Sequence, residues 1–267
     1  IRLHASHNPQ EELLTPSASL SGNVRGIVRA RMMAHDPPDL FQANAGSDLL
    51  QWVFVNGIDD RQSKLRALNE NSPLVRDMRK VVPRVVMESL SYGGKVYGAV
   101  GNIRRINTVF YNLHVFKKYK LPLPKNPDDL VKLGKRLRAV GVPLMAVGSR
   151  DPWTVVLMVF ESLVVAREGA NFYRDYFEGR LRSNDPRIIR ALRQALDLSK
   201  YFNEDHGALT WNQALERVGA EQAAMISMGD WAQQFFLSRN MRPGVDFVEA
   251  AFPGTLNDFV FTADAFA

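Results

Sequence analysis

The stretch Asp36-Pro37-Pro38-Asp39-Leu40-Phe41-Gln42-Ala43-Asn44-Ala45-Gly46-Ser47-Asp48 sets a short apolar step between a proline pair and a group of short polar side chains. Upstream, Gly26 to Ala34 carries Ile27, Val28, Ala30, Met32 and Met33 with Arg25, Arg29 and Arg31 between them, the pattern of a helix with one buried face. Pro37 and Pro38 end that helix. Leu40 and Phe41 then read as a very short strand, and Ala45 to Val55, with Leu49, Leu50, Trp52 and Val53, as the next helix. Gln42, Asn44 and Asp48 thus fall at or just past a strand end and at a helix start, where open α/β sheets bind small ligands. The same spacing fits a plain helix cap by Asn44, Ser47 or Asp48. Trp52, on the apolar face with Leu49 and Val53, reads as core.

The 267 residues are enough for a large core and suggest about two domains. There is no cysteine, which excludes disulfides, thiolate nucleophiles and sulfur metal ligands and is common in proteins exported to the bacterial periplasm. Lysine and arginine outnumber aspartate and glutamate by 34 to 28, for a net charge of +6 and a pI near 9.6. That balance permits nucleic acid or an anionic membrane surface as a partner. The arginines are spread along helices, as at Arg76, Arg79, Arg84 or Arg187, Arg190, Arg193, which reads as a solvated face. The longest apolar run, Trp153 to Ala166, is broken by Glu161 and Ser162 and is shorter than the ~18 residues of a membrane span. Ile1-Arg2-Leu3-His4 lacks the marks of a signal peptide, so the expectation is a cytoplasmic protein or one whose export signal has been removed.

Further on, strands and helices interleave. Pro83 to Leu90 reads as a helix and Ser91 to Gly98 as a tight hairpin around Gly93-Gly94. Ile106, Val109, Phe110 and Tyr111 read as a strand, Asn112 to Tyr119 as a short helix, and Pro122 to Pro127 as an extended break and first candidate domain boundary. Leu130, Leu133, Leu137 and Val140 form an expected buried stripe stopped by Gly141, followed by a strand over Pro143 to Val147. From Trp153 to Asn240 the chain is mostly helical, with strand character at Ala223 to Ser227, a short helix at Trp231 to Ser238 and a turn at Pro243-Gly244. Phe247 to Phe252 and Phe259 to Thr262 are strand-like. The pattern predicts an α/β protein of two lobes.

Two constellations carry chemistry. In Met225-Ile226-Ser227-Met228-Gly229-Asp230-Trp231 a strand ends in a glycine turn that sets an acid and an indole at a helix start. A carboxylate accepts hydrogen bonds from neighbouring hydroxyls and an indole packs on the apolar C–H face of a sugar ring; a helix cap and a core tryptophan fit the same residues. Trp153, after Asp151-Pro152, and Trp211, after Thr210, also fall at expected helix starts, where aromatics line clefts. The five histidines show no metal-protease spacing, and no serine elbow, Walker A or dinucleotide loop occurs. Asp230 and Asp264 are a conceivable glycosidase pair whose separation the sequence does not set.

Asp36 to Gln42, the Gly93 to Gly98 hairpin with Asn102 to Asn112, the Trp153 segment, Thr210-Trp211, Met228 to Trp231, Phe252-Pro253-Gly254-Thr255 and Asp264-Ala265-Phe266 occur in this order in extracellular solute-binding proteins of sugar ABC transporters. The chain resembles that family, and within it the branch that binds glucose, mannose and related monosaccharides. The resemblance implies a maltose-binding-protein-like fold, two α/β lobes joined by crossover strands with the ligand cleft between them. The lobes would comprise 1–110 with 248–267, and the mostly helical 111–247, with crossovers near Asn107 to Tyr111 and Phe247 to Pro253. Gln42, Asn44 and Asp48 would hydrogen-bond the sugar, Lys95, Asn102 and Arg104 lie near the cleft rim, Trp153, Trp211, Asp230 and Trp231 come from the second lobe, and Asp264 from the returning strand. Asn44 departs from the histidine that relatives often carry. Relatives also begin with a strand ending in a Trp-Trp pair and continue about another hundred residues past the Asp264 region, so the chain reads as truncated at both ends.

The implied activity is capture and delivery to membrane permease subunits, not catalysis. The implied protein is periplasmic or extracellular, with a lipid anchor as an option, not itself membrane-spanning and monomeric. It would use no metal, nucleotide or other cofactor and bind no nucleic acid. A carbohydrate-active hydrolase using Asp230 and Asp264, and a sugar-sensing ligand-binding domain, are the alternatives.

Overall fold

The arginine-studded apolar segment at the start forms α1 (Val24–Met33), burying Val28 and Met32. In this computed structural model residues 24–53 and 65–267 are described. They divide into two compact units, one reaching Gly101 and including Asp264–Ala267, the other Asn102–Ala263.

In the first unit the Arg31 guanidinium donates to the Asp36 carboxylate at 3.0 Å just past α1. The expected strand at Leu40-Phe41 lies two residues later, as β1 (Gln42–Asn44). The reason is a distant partner: β1 pairs antiparallel with the end of the chain, and Phe41 and Ala267 exchange backbone hydrogen bonds of 2.9 and 3.0 Å. Leu40 is exposed, while Phe41 packs edge-on against Trp52 with centroids 5.4 Å apart. One turn of helix follows, α2 (Ser47–Leu50), with Leu49, Trp52 and Val53 buried; the helix expected over Ala45 to Val55 is shorter, since residues 51–53 form a turn, and 54 and 55 lie outside the described residues.

Ser72 caps α3 (Pro73–Val81), accepting from Val75 N at 3.2 Å, and α4 (Arg84–Ser89) follows. The hairpin β2 (Ser91–Tyr92) and β3 (Lys95–Val96) turns through Gly93 and Gly94, both at positive φ, as a two-residue turn of this hand requires. The strand β4 (Ala99–Arg105) was not foreseen, because Gly101 and Asn102 interrupt any β-rich run. A Cβ at Gly101 would lie 2.6 Å from the Phe266 ring, so any larger residue there would have to displace that ring.

The second unit is built on β5 (Thr108–Asn112), buried at all five positions. Asn112 caps α5 (Leu113–Lys118), its Oδ1 accepting from Val115 N at 3.0 Å. The proline-rich break after it lies inside this unit, because α6 (Pro127–Arg138) packs Leu130, Leu133 and Leu137 into the same core as Val109 and Tyr111. Val140, expected in that stripe, is exposed: the helix ends at Arg138 and the chain turns at Gly141. The strand expected over Pro143 to Val147 contracts to Met145, which forms single parallel bridges to Phe202 and Met225.

Next come α7 (Trp153–Val155), a π-helical turn (Val156–Glu161), α8 (Ser162–Phe177), interrupted at Gly169, α9 (Pro186–Ser199) and α10 (Trp211–Gly219). The chain continues through β6 (Met225–Ser227), α11 (Ala232–Ser238), β7 (Phe247–Ala251) and β8 (Phe261–Phe266). The second unit's sheet has the order β6-β5-β7, all antiparallel, and another sheet has the order β1-β8-β4. Since β7 pairs with β5 along its length, both stay in one unit, and the units divide within β4 and β8 rather than near 110 and 248. Among the described residues no helix is long and apolar enough to cross a membrane.

Asn107 and Glu161 stand out among the buried polar groups of this unit. The Asn107 amide is fully used: Nδ2 donates to Thr255 Oγ1 (2.8 Å) and the Asp258 carbonyl (3.0 Å), while Oδ1 accepts from Val260 N (3.0 Å) and Arg105 Nε (3.1 Å). At the end of the π-helical turn the buried Glu161 accepts from the Tyr173 hydroxyl at 2.5 Å. Burial pushes its carboxyl up to about 7, the tyrosine bond opposing.

Asn107→Leu should lower unfolding free energy in urea by about 3 kcal/mol, since it orphans several buried partners at once. For Glu161 the folded protein holds its proton more tightly than the unfolded chain. Its contribution is therefore full below pH 4.5, the ordinary value, and is lost as pH rises through about 7. The melting temperature should fall across that window by an amount corresponding to about 3 kcal/mol, and Glu161→Gln should flatten the profile.

Candidate functional site

The segment after β6 is shaped by its neighbours before any side chain reaches solvent. Thr108 Oγ1 donates to the Met228 carbonyl, and Met228 N donates back to Thr108 O at 3.2 Å. Asp230 N donates to Arg105 O (3.0 Å), and Asp230 Oδ2 accepts from Arg105 N (2.8 Å). The carboxylate is therefore not a cap for α11, whose N-cap is Trp231 with no side-chain bond. Gly229 is fixed by space: a Cβ would sit 2.0 Å from the Trp231 ring, which folds back over the glycine. The Arg104 guanidinium lies 5.9 Å from that ring's centroid, a cation–π distance.

The other two tryptophans are held by a loop of the same unit. At Gly148 a Cβ would meet the Thr210 carbonyl oxygen at 2.2 Å, so only glycine lets the two loops touch. Ser149 N donates to His206 O (2.8 Å), the Ser149 hydroxyl bonds His206 Nδ1 (2.8 Å), and Arg150 N donates to Leu209 O (3.1 Å). Asp151 Oδ2 accepts from Trp211 N at 2.9 Å, and the Asp151 carbonyl accepts from Thr154 N and Oγ1 at 3.0 and 2.9 Å. One aspartate thus anchors the starts of both α7 and α10. A reciprocal capping box between Thr210 and Gln213 completes the second.

Trp153 consequently stands between its two partners. Its centroid is 6.3 Å from Trp211 at 55° and 6.2 Å from Trp231 at 56°, and all three rings are half-buried. Tilted indoles presenting apolar faces beside the Asp230 carboxylate suit a ligand with an apolar face and hydroxyl edges. Glu249 on β7 is a neighbour that sequence reasoning missed. Burial first, and the Asp230 charge second, raise its carboxyl above the ordinary range, with Arg105 opposing. A glutamate inside the strand-like Phe247 to Phe252 run was the available signal.

In the first unit Gln42 and Asn44 alternate with the buried Ala43 and share one face of β1. Asn44 N and Nδ2 donate to Asp48 Oδ2 at 3.0 and 3.3 Å, and Gln51 Nε2 donates to Asp48 Oδ1 at 2.9 Å. The N-cap of α2 is Gly46, without a side-chain bond, so Asp48 ties the turn back to β1 rather than capping. Asn44 is paired in register with the buried Asp264 on β8. Lys95 on β3 and Asn102 on β4 are exposed.

The sequence-predicted residues therefore gather as a polar group (Gln42, Asn44, Asp48, Asp264) in one unit and an aromatic–acidic group (Trp153, Trp211, Trp231, Asp230, with Arg104) in the other. Two surface cavities of the second unit, about 520 and 420 Å³, are lined by other residues. Among the described residues no three His, Asp or Glu side chains are grouped to hold a metal ion.

Residues 15–264 match the profile of the family described as bacterial extracellular solute-binding protein. An uncharacterised ABC transporter extracellular-binding protein of Pyrococcus horikoshii is 31% identical over 89% of this chain and 52% of its own length. A protein of Brucella suis named "Probable sugar-binding periplasmic protein" is 29% identical over 90% of this chain and 55% of its own. The chain spans about half the length of the curated relatives it matches. Its fold is that of a structure solved in work on xylan utilisation by the thermophilic bacterium Caldanaerobius polysaccharolyticus. That structure has TM-score 0.82 and 20% identity, over all of this chain and 67% of the other. The chain belongs to the bacterial extracellular solute-binding protein family.

Proposed function

We propose that this member of the extracellular solute-binding family captures a glucose- or mannose-like monosaccharide, or a small oligosaccharide, outside the cytoplasm and hands it to the permease of an ABC importer. The observation that carries the reading is the Trp153–Trp211–Trp231 cluster beside Asp230. A relative named for sugar binding supports it.

Pyranoses are amphipathic discs. Their C–H faces pack on indoles, and their ring hydroxyls must each find a partner once desolvated. Asp230 supplies acceptors near the rings, and Gln42, Asn44, Asp48 and Asp264 supply a mixed donor and acceptor set from the first unit. Lys95, Asn102 and Arg104 add donors. Binding and release then suffice for transport, with no bond made or broken. One Asp230 oxygen is already committed to the Arg105 amide, which favours a fixed hydrogen-bonding role over proton transfer in hydrolysis.

Calorimetric titration with glucose, mannose, galactose and maltose should give micromolar or tighter binding of one sugar. Trp231→Ala should weaken it at least about tenfold, about 1.4 kcal/mol. Gly229→Ala, which keeps every indole but displaces the Trp231 ring, should weaken it nearly as much, and Trp52→Phe should leave it unchanged. Equal losses at Trp52 and Trp231, or aryl-glycoside hydrolysis abolished by Asp230→Asn, would refute the reading.

A further inference from the structure

A cavity of about 520 Å³ in the second unit is an open groove away from the tryptophans, with apolar lining residues that include Phe116, Leu121, Leu123 and Val245 and with Lys117 and Lys120 beside them. It sits on a segment of unusual composition: from Leu113 through Pro127 there is no acidic residue, while Lys117, Lys118, Lys120 and Lys125 fall within nine positions. All four lysines are exposed. Elsewhere Lys80, Lys132 and Lys200 are paired with aspartates, whereas none of these four ammonium groups has a carboxylate partner among the described residues. Arg136 adds a further positive charge, its guanidinium reaching the Tyr119 and Lys120 carbonyls at 3.4 Å. The nearby Asp246 is already engaged by His114 at 2.9 Å and by Arg242 through backbone and side chain at 2.7 and 3.3 Å.

We propose that this lysine-rimmed apolar groove, on α5 and the Lys120–Lys125 segment, is a docking face for an anionic phospholipid surface. Lysines are flexible point charges that follow mobile headgroups, whereas a fixed carboxylate on a protein partner is met best by an arginine fork. The Arg136 guanidinium beside the segment is spent on backbone carbonyls, and the Arg242 guanidinium on Asp246. Leu123 and Val245 are about half exposed, at 44% and 50%. They provide the apolar contact that a basic patch needs to seat at a bilayer interface. Such a face would keep a capture protein at the membrane without a spanning helix. The inference is independent of which ligand the tryptophans bind.

The test is sedimentation of the purified chain with vesicles of mixed phosphatidylcholine and phosphatidylglycerol, against pure phosphatidylcholine. Binding should require phosphatidylglycerol and weaken steeply with added salt. Replacing Lys117, Lys118 and Lys120 together by glutamine should lower the partition coefficient by about fivefold per lysine. Leu123→Ser, which keeps every charge at an exposed position, should lower it without changing the salt dependence. Removing the same charge at Lys80, Arg182 and Arg193 should have a much smaller effect. Absence of vesicle binding, equal binding to neutral vesicles, or equal losses from both triple variants would overturn the proposal. So would saturable binding of a polyglutamate peptide by a chain that ignores vesicles, which would assign the face to an acidic protein segment.

Discussion

The burial of β5 between two antiparallel neighbours constrains the rest of the second unit. Every backbone group of a strand buried at all five positions must be satisfied inside the protein. The neighbours β6 and β7 do this along both edges. The strand's two polar ends extend the order outward. Asn112 caps α5 with its oxygen and donates to the Val218 carbonyl at 2.8 Å, drawing in the end of α10. Thr108 grips the Met228 carbonyl and thereby sets where the chain leaves the sheet towards Asp230 and Trp231.

From that anchor the aromatic cluster is assembled by exclusion of side-chain volume as much as by attraction. Gly229 lets one indole fold over the backbone and Gly148 lets two loops touch, with Asp151 bridging the starts of the helices that carry the other two. Rings held this way lose little freedom on meeting a ligand, so more of the contact energy is available for binding. The first unit follows the same logic with polar groups: Asp48 fastens a one-turn helix to β1 and leaves Gln42 and Asn44 on one face.

Features governed by local periodicity were legible in the sequence. The Leu130, Leu133 and Leu137 stripe, the Gly93-Gly94 hairpin, the helix starts at Trp153 and Trp211 and the buried Trp52 all depend on neighbours within a few residues. Features set by distant partners were not. The first strand begins at Gln42 because the chain end pairs there, β4 forms through glycine because Phe266 fills the space, and Pro143 to Val147 is reduced to a bridge at Met145. Composition marked the site's residue types, an acid beside an indole at a strand end. The meeting of three tryptophans, and the parts played by Asp151, Arg105 and Glu249, depend on contacts between segments far apart in the chain.

The most direct test is two-dimensional NMR of the chain labelled at its four indole nitrogens during titration with glucose, mannose and related sugars. The account predicts that one sugar shifts the resonances of Trp153, Trp211 and Trp231 together along a single saturation curve while Trp52 stays in place. A sugar that binds and leaves those three resonances unmoved would contradict it.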